Sequence, residues 1–332
     1  MSRIKNTIKK LPYIKPVFAR LSEVEKENDN LKITNSDLSN QAARLEAELK
    51  LYKTYVPTGH FYSPYPDIDH IRKNEKRIFK SMPLTIPGVE LNTKKQLKVF
   101  EEFAKYYVDM PFKPKKQKGL RYWFDNEAYQ YSDAICLYSM IRYLNPKKII
   151  EVGSGYSSCA ILDTNELFFN GSIDCTFIDP YPDLLLSLIK EEDKKRITLI
   201  PKNLQDVDLA VFESLSSGDI LFIDSTHVSK VDSDVNYIFF EILPHLASGV
   251  HIHFHDVWYP FEYWPDFIYK GLSWNEAYFV RAFLQYNNAF EIVFFNEYLE
   301  KLYPKKFKDK MPLCMKNTGG SIWIKKTQVK LQ

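Results

Sequence analysis

The chain has 332 residues, enough for one large domain with an appendage or for two modest domains. Lysine plus arginine number 45 against 42 acidic residues, and the resulting balance of +3 is too even for nucleic acid to be the main partner. The four cysteines, Cys136, Cys159, Cys175 and Cys314, lack any CxxC or zinc-ligand spacing. No apolar run is long enough to span a membrane, and the first residues lack a secretion-signal core. The expectation is a cytoplasmic protein with reduced thiols.

Residues 1–20 form a basic tail with Arg3, Lys5, Lys9, Lys10 and Lys15. Ile4, Ile8 and Leu11 fall on one helical face before Pro12. The tail reads as solvated, or as a weak peripheral contact with the anionic inner face of a membrane. Residues 21–56 carry a heptad pattern. Val24, Leu31, Leu38, Leu45 and Tyr52 recur every seven residues, with Leu21, Asn28, Asn35, Ala42 and Leu49 three positions earlier. This predicts a coiled coil that Pro57 ends, with Asn28 and Asn35 fixing its register and number of chains. The partner expected is a second copy of the chain, forming a homo-oligomer, with docking to a glycan-assembly protein as another use of the coil. A single amphipathic helix lying on its own domain is the alternative. Residues 57–119 form a cap and linker, loop-like over 57–92, helical over 93–108 and basic over 111–120.

From 120 to 332 the pattern alternates. A helix at 132–144 precedes strands at 148–152, 173–178, 197–200, 219–223, 249–254, 290–295 and 320–325. Helices at 156–168, 182–190, 206–215, 231–244 and 274–286 fill the first five gaps between strands. The last gap shows no helical pattern, which predicts an antiparallel strand at the end. The fold class is α/β, a Rossmann-like doubly wound seven-stranded sheet preceded by the coiled-coil helix.

In such a sheet ligands bind beyond the carboxyl ends of the strands. The first strand runs into Glu151-Val152-Gly153-Ser154-Gly155, an acidic residue followed by a glycine turn. After the second comes Asp179, placed to accept hydrogen bonds from ribose hydroxyls or, alternatively, to cap the next helix. Gln205 and Asp206 follow the third strand, Asp224 the fourth, and His255 and Asp256 the fifth. If the last two of these strands pair, Asp224, His255 and Asp256 converge, and two carboxylates with an imidazole would suit a divalent cation. Helix caps and a buried histidine are the plainer alternative. His251 and His253 share a face with His255 but lie deeper. His227, three residues past Asp224, is either a general base or a surface-loop histidine.

These residues resemble the class I S-adenosylmethionine-dependent methyltransferases over about 120–326. They are more narrowly similar to the metal-dependent O-methyltransferases of catechol and macrolide-sugar type and to a bacterial group associated with surface polysaccharides. The resemblance implies a donor site of Glu151, Gly153, Ser154, Gly155, Asp179 and Gln205. It further implies a divalent cation, Mg or Mn, on Asp224, His255 and Asp256, and catalytic roles for Asp224 and His227. A histidine stands where the catechol-type family has lysine, and His-Asp stands where it has Asp-Asn.

The implied function is O-methylation of a sugar or surface-glycan hydroxyl, or of another small-molecule hydroxyl. The aromatic run Trp258-Tyr259-Pro260-Phe261-Glu262-Tyr263-Trp264 would wall the acceptor or serve as a hydrophobic lid. Tyr62, Tyr65, Asn126, Tyr129 and Tyr131 are further candidates for the pocket. The alternatives are an inactive scaffold working through its coil, and a natural-product or hydroxylase-like enzyme on the same fold.

Overall fold

The heptad segment is one continuous helix, α1, over Lys15–Leu51. Pro16 stands in its first turn, where a missing N–H breaks no helical hydrogen bond. The helix ends at Leu51, short of Pro57. The computed structural model describes residues 12–51, 54–79 and 82–327. The expectations for Arg3, Lys5, Lys9, Lys10, Ile4, Ile8, Leu11 and Tyr52 therefore lie outside the described residues. Two compact units divide the chain, Met1–Asp67 and Ile68–Gln332.

In the second unit α2 (Ile68–Phe79) replaces the loop expected over 57–92; it buries none of its residues fully. α3 (Thr93–Tyr107) and α4 (Tyr131–Leu144) follow. The irregular segment between them is held by charge at Arg121. Arg121 is 3% exposed and reaches Asp163 and Glu166 at 2.7 Å and Asp193 at 2.5 Å. Asp163 also accepts the backbone N–H groups of Arg121 and Tyr122, both at 2.8 Å. Arg121 is thus a structural clamp.

The sheet alternates as expected: β1 (Lys148–Val152), α5 (Tyr156–Phe169), β2 (Asp174–Ile178), α6 (Asp183–Leu188), β3 (Thr198–Ile200), α7 (Leu209–Glu213) and β4 (Ile220–Ile223). α8 (Asp234–Tyr237) continues through a π-helical stretch, Ile238–Ile242, into Leu243–His245, so the helix expected over 231–244 begins three residues later and is wider-wound in its middle. Next come β5 (His251–His255), α9 (Pro265–Tyr269), α10 (Glu276–Leu284) and β6 (Phe290–Phe295). Two helices, α11 (Asn296–Leu302) and α12 (Pro304–Lys310), precede β7 (Ser321–Lys326). They correct the expectation of no helix in that gap. They are short, and Pro304 separates them, so no long helical period forms in the sequence.

The strand order is β3-β2-β1-β4-β5-β7-β6, with β7 antiparallel to both β5 and β6. β4 and β5 are buried at every position, as strands covered on both faces must be. The order reverses between β1 and β4, and that crevice is where an open sheet takes its ligand. All four cysteines are free and buried. Among the described residues no helix is long and apolar enough to cross a membrane.

Candidate active site

At the crevice Gly153 has φ 80°, and a Cβ there would stand 2.2 Å from the carbonyl oxygen of Asp224. Glycine is therefore required for the ends of β1 and β4 to close together, beyond any approach of a ligand. In front of this closure lies a cavity of about 370 Å³. Gly153, Asp179, Gln205 and Asp224 line it, with Asn203 and Lys230. Four of the residues selected from sequence thus meet in one space.

Asp179 is fixed from two sides. One oxygen accepts the Ser154 hydroxyl at 2.7 Å and the other accepts the backbone N–H of Tyr181 at 2.8 Å. Ser154 acts through Asp179, and neither it nor Gly155 is on the cavity wall. The Gln205 amide donates to the carbonyl of Asp232, tying the segment after β3 to the loop after β4. Glu151 lies behind the turn. It is fully buried, accepts the Ser157 hydroxyl at 2.5 Å, and its second oxygen has no partner. Burial pushes its carboxyl up to about 8, against the hydrogen bonds of Ser157 and Ser158.

The loop after β4 carries the second half of the site. Thr226 gives both its N–H and its hydroxyl to Asp234, each at 2.7 Å. His227 adopts φ 60°, and its carbonyl accepts the N–H groups of Asn275 and Glu276 at 3.0 and 3.1 Å. The loop is thereby stapled to α8 on one side and to the start of α10 on the other. His227 is 5% exposed, so it is not a surface histidine. Its Nδ1 meets Glu276 Oε2 at 2.8 Å, and Ser225 donates to the other Glu276 oxygen at 2.8 Å. Its Nε2 lies 3.5 Å from both Asp224 Oδ1 and Asp256 Oδ2. Trp274 covers the ring, with centroids 4.5 Å apart.

β4 and β5 do pair, with Ile223 opposite Phe254, which sets Asp224, His255 and Asp256 at neighbouring strand ends. His255 Nε2 is 3.5 Å from Asp256 Oδ1, and its Nδ1 is buried without a partner. Asp256 has φ 54°, in the left-handed region that aspartate and asparagine enter more readily than most residues. The charges are interlocked. Burial raises the Asp224 carboxyl, but His255 and His227 outweigh it and hold the group below its usual range. Burial lowers the His227 imidazole, but its ion pairs with Asp224 and Glu276 prevail and hold it well above 6.5. Burial pulls His255 down as well, and Asp256, Asp224 and Asp133 outweigh it to leave it raised. Asp256 stays raised by burial despite both histidines.

The donor chemistry suits a divalent cation: two carboxylates, and an imidazole with an orphaned nitrogen. The spacing is open, since among the described residues no three such side chains stand close enough to share a metal ion. His253 takes no part. It stacks on Phe222 at 3.9 Å and meets Trp323 at 4.7 Å, and burial holds it well below 6.5.

The aromatic run behaves differently from the wall expected. Trp258, Tyr259, Phe261 and Tyr263 are at most 6% exposed and face inward. Tyr259 and Phe261 pack on Phe295, and Trp258 packs on Phe267. The hydrophobic gain of burying such rings outweighs holding them open to solvent. Only Trp264 is substantially exposed, with Lys301 above it. Asn126 closes its own turn, donating to the Tyr129 carbonyl at 2.7 Å, and Tyr131 donates to Asp125 at 2.6 Å. Tyr129 alone reaches the site, its ring 5.1 Å from that of His255. Tyr62 and Tyr65 belong to the first unit. Glu276 and Trp274 were not legible in the sequence. Their one signal is the asparagine-led helix start at Asn275, which carries no chemistry by itself.

Residues 150–257 match a family model described as a methyltransferase domain. An uncharacterised protein of Archaeoglobus fulgidus is 36% identical over 168 residues, which is 49% of this chain and 75% of that protein. Similar solved structures include the Podospora anserina methyltransferase PaMTH1 with SAH bound (12% identity, 83% of this chain and 100% of that chain, TM-score 0.40). The O-methyltransferase TomG of Streptomyces achromogenes, involved in tomaymycin synthesis and solved with SAM, is 12% identical over 78% of this chain and 96% of that chain, with TM-score 0.39. CmcI solved with Mg and SAM is 17% identical over 68% of this chain and 84% of that chain, with TM-score 0.38.

Proposed function

We propose that this chain is a class I S-adenosylmethionine-dependent methyltransferase and that it transfers the methyl group to a hydroxyl oxygen of a sugar or surface glycan. The observation that carries this reading is the buried His227 imidazole, whose Nε2 faces both Asp224 and Asp256 beside the cavity of Gly153, Asp179 and Gln205. With Nδ1 held by Glu276, Nε2 is the ring nitrogen left to accept an alcohol proton once the proton it shares with Asp224 and Asp256 has been released.

The donor supplies an electrophilic methyl on a sulfonium centre. Asp179, held by Ser154, accepts from the ribose hydroxyls, and Gln205 borders the base. His227 Nε2 takes the acceptor's hydroxyl proton as the oxygen's electron pair forms the new O–C bond. The S–C bond breaks with its electron pair on sulfur, leaving a neutral thioether. Much of the rate comes from positioning the two reactants. Glu276 keeps Nε2 turned toward the carboxylates by holding Nδ1.

Asp224, His255 and Asp256 are the residues that would hold a divalent cation, Mg or Mn, if their side chains drew closer than they stand here, and its charge would lower the pKa of the acceptor hydroxyl. Carboxylates engaged in that way would hold the His227 proton less tightly and so would favour the neutral imidazole a base needs. The test is purified protein with methyl-labelled donor and a panel of nucleotide sugars and oligosaccharides. A labelled methyl ether is the expected product. Transfer confined to nitrogen or carboxylate acceptors would refute the reading.

A further inference from the structure

We infer that α1 pairs with α1 of a second copy of this chain as a parallel, in-register, two-stranded coiled coil. Leu21, Val24, Leu31, Leu38, Leu45 and Leu49 make a single stripe of apolar side chains, each 48% to 68% exposed. A helix with this much regularly spaced apolar surface gains by burying it against a like surface. The identity and direction of the occupant follow from the polar positions of the same repeat.

Asn28 and Asn35 lie in the seam. In a parallel pair each meets its own copy, and the two carboxamides hydrogen-bond to one another. In an antiparallel pair Asn35 would face Leu38 and Asn28 would face Leu45, leaving buried amides without partners. The flanking charges agree. In parallel register Arg20 reaches Glu25 of the other copy, and Glu27 reaches Lys32. Reversing one chain would instead set Glu25 beside Glu46 and Glu27 beside Glu48, which repel. Within its own helix Arg20 now pairs with Glu23 at 2.7 Å and Lys32 with Asp29 at 3.1 Å. Exposed pairs of this kind are weak, so both cations are free to change partners. Asparagine at these seam positions selects two chains over three or four. Both chains leave such a coil at the same end.

The test uses full-length protein. Light scattering should give twice the chain mass of 39.1 kDa. Under oxidation Asn28→Cys should cross-link to itself, while the parent protein, whose cysteines are all buried, should not. Leu31→Glu with Leu38→Glu should give a monomer with an unchanged thermal midpoint for the second unit. Glu27→Lys should weaken the dimer at least tenfold, and adding Lys32→Glu should restore it. A monomeric, trimeric or tetrameric parent would overturn the inference. So would cross-linking of Asn28→Cys only when mixed with Leu45→Cys, or a dimer that survives the double glutamate variant.

Discussion

His227 Nδ1 and Glu276 Oε2 stand 2.8 Å apart, although 49 residues separate them in the chain. Glu276 is 1% exposed, and its other oxygen is occupied by Ser225, so the imidazole has one orientation available. Glu276 and Asp224 also hold the His227 proton on, since the folded pKa is raised well above 6.5. A rate that needs neutral imidazole must therefore keep climbing above pH 6.5. Removing the Glu276 charge lowers that pKa. Glu276→Gln should shift the acidic limb of the kcat profile to lower pH and reduce its plateau. His227→Ala should cut turnover by about 100-fold or more. A profile unmoved by Glu276→Gln would show that the pair does not govern the proton.

Asp224 serves both halves of the site, since it lines the cavity and pairs with His227. Asp224→Asn keeps the shape and removes the charge. If a divalent cation assists the reaction, this variant should lose stimulation by magnesium or manganese while retaining donor binding. Stimulation by metal equal to that of the parent protein would exclude Asp224 as a ligand.

Gly153→Ala tests the closure of β1 on β4. The added methyl would meet the Asp224 carbonyl at 2.2 Å, in a conformation with φ 80°. The conformation alone costs about 1–3 kcal/mol, and the contact adds to it. The variant should unfold at lower denaturant and bind donor at least tenfold more weakly. Parent-like values for both would mean that the turn is looser than described.

Glu151 gives a signature in stability against pH. Burial pushes its carboxyl up from the ordinary 4.5 to about 8 in the folded protein. Between those values the unfolded chain releases the proton while the folded chain retains it. The stability linked to this group is therefore present in full below pH 4.5 and is lost as pH rises toward 8. Glu151→Gln should remove that decline, so its thermal midpoint should gain on the parent's as pH rises. Parallel midpoint curves for the two proteins would place the ionised form in the fold.

The sheet was legible because its central strands are covered on both faces. Ile149-Ile150, Leu221-Phe222-Ile223 and Ile252 with Phe254 are buried runs that advertise parallel strands. Once the strands were placed, Gly153, Asp179, Gln205, Asp224, His255 and Asp256 followed, because an open sheet exposes ligands at its carboxyl edge. What stayed hidden depends on chain that leaves the sheet and returns. Glu276 and Trp274 arrive through an irregular stretch after Asp256. The aromatic run at 258–264 carries the composition of a binding surface, yet its rings find Phe295 and Phe267 and turn inward. Composition identifies surface-active residues; it does not reveal which neighbour buries them.

Calorimetric titration of the purified chain with S-adenosylmethionine, beside Asp179→Ala, measures the central claim directly. The account predicts saturable binding by the parent protein, weakened at least tenfold by Asp179→Ala with the thermal midpoint of the free protein maintained. No heat at millimolar donor, or equal affinity in the two proteins, would contradict it.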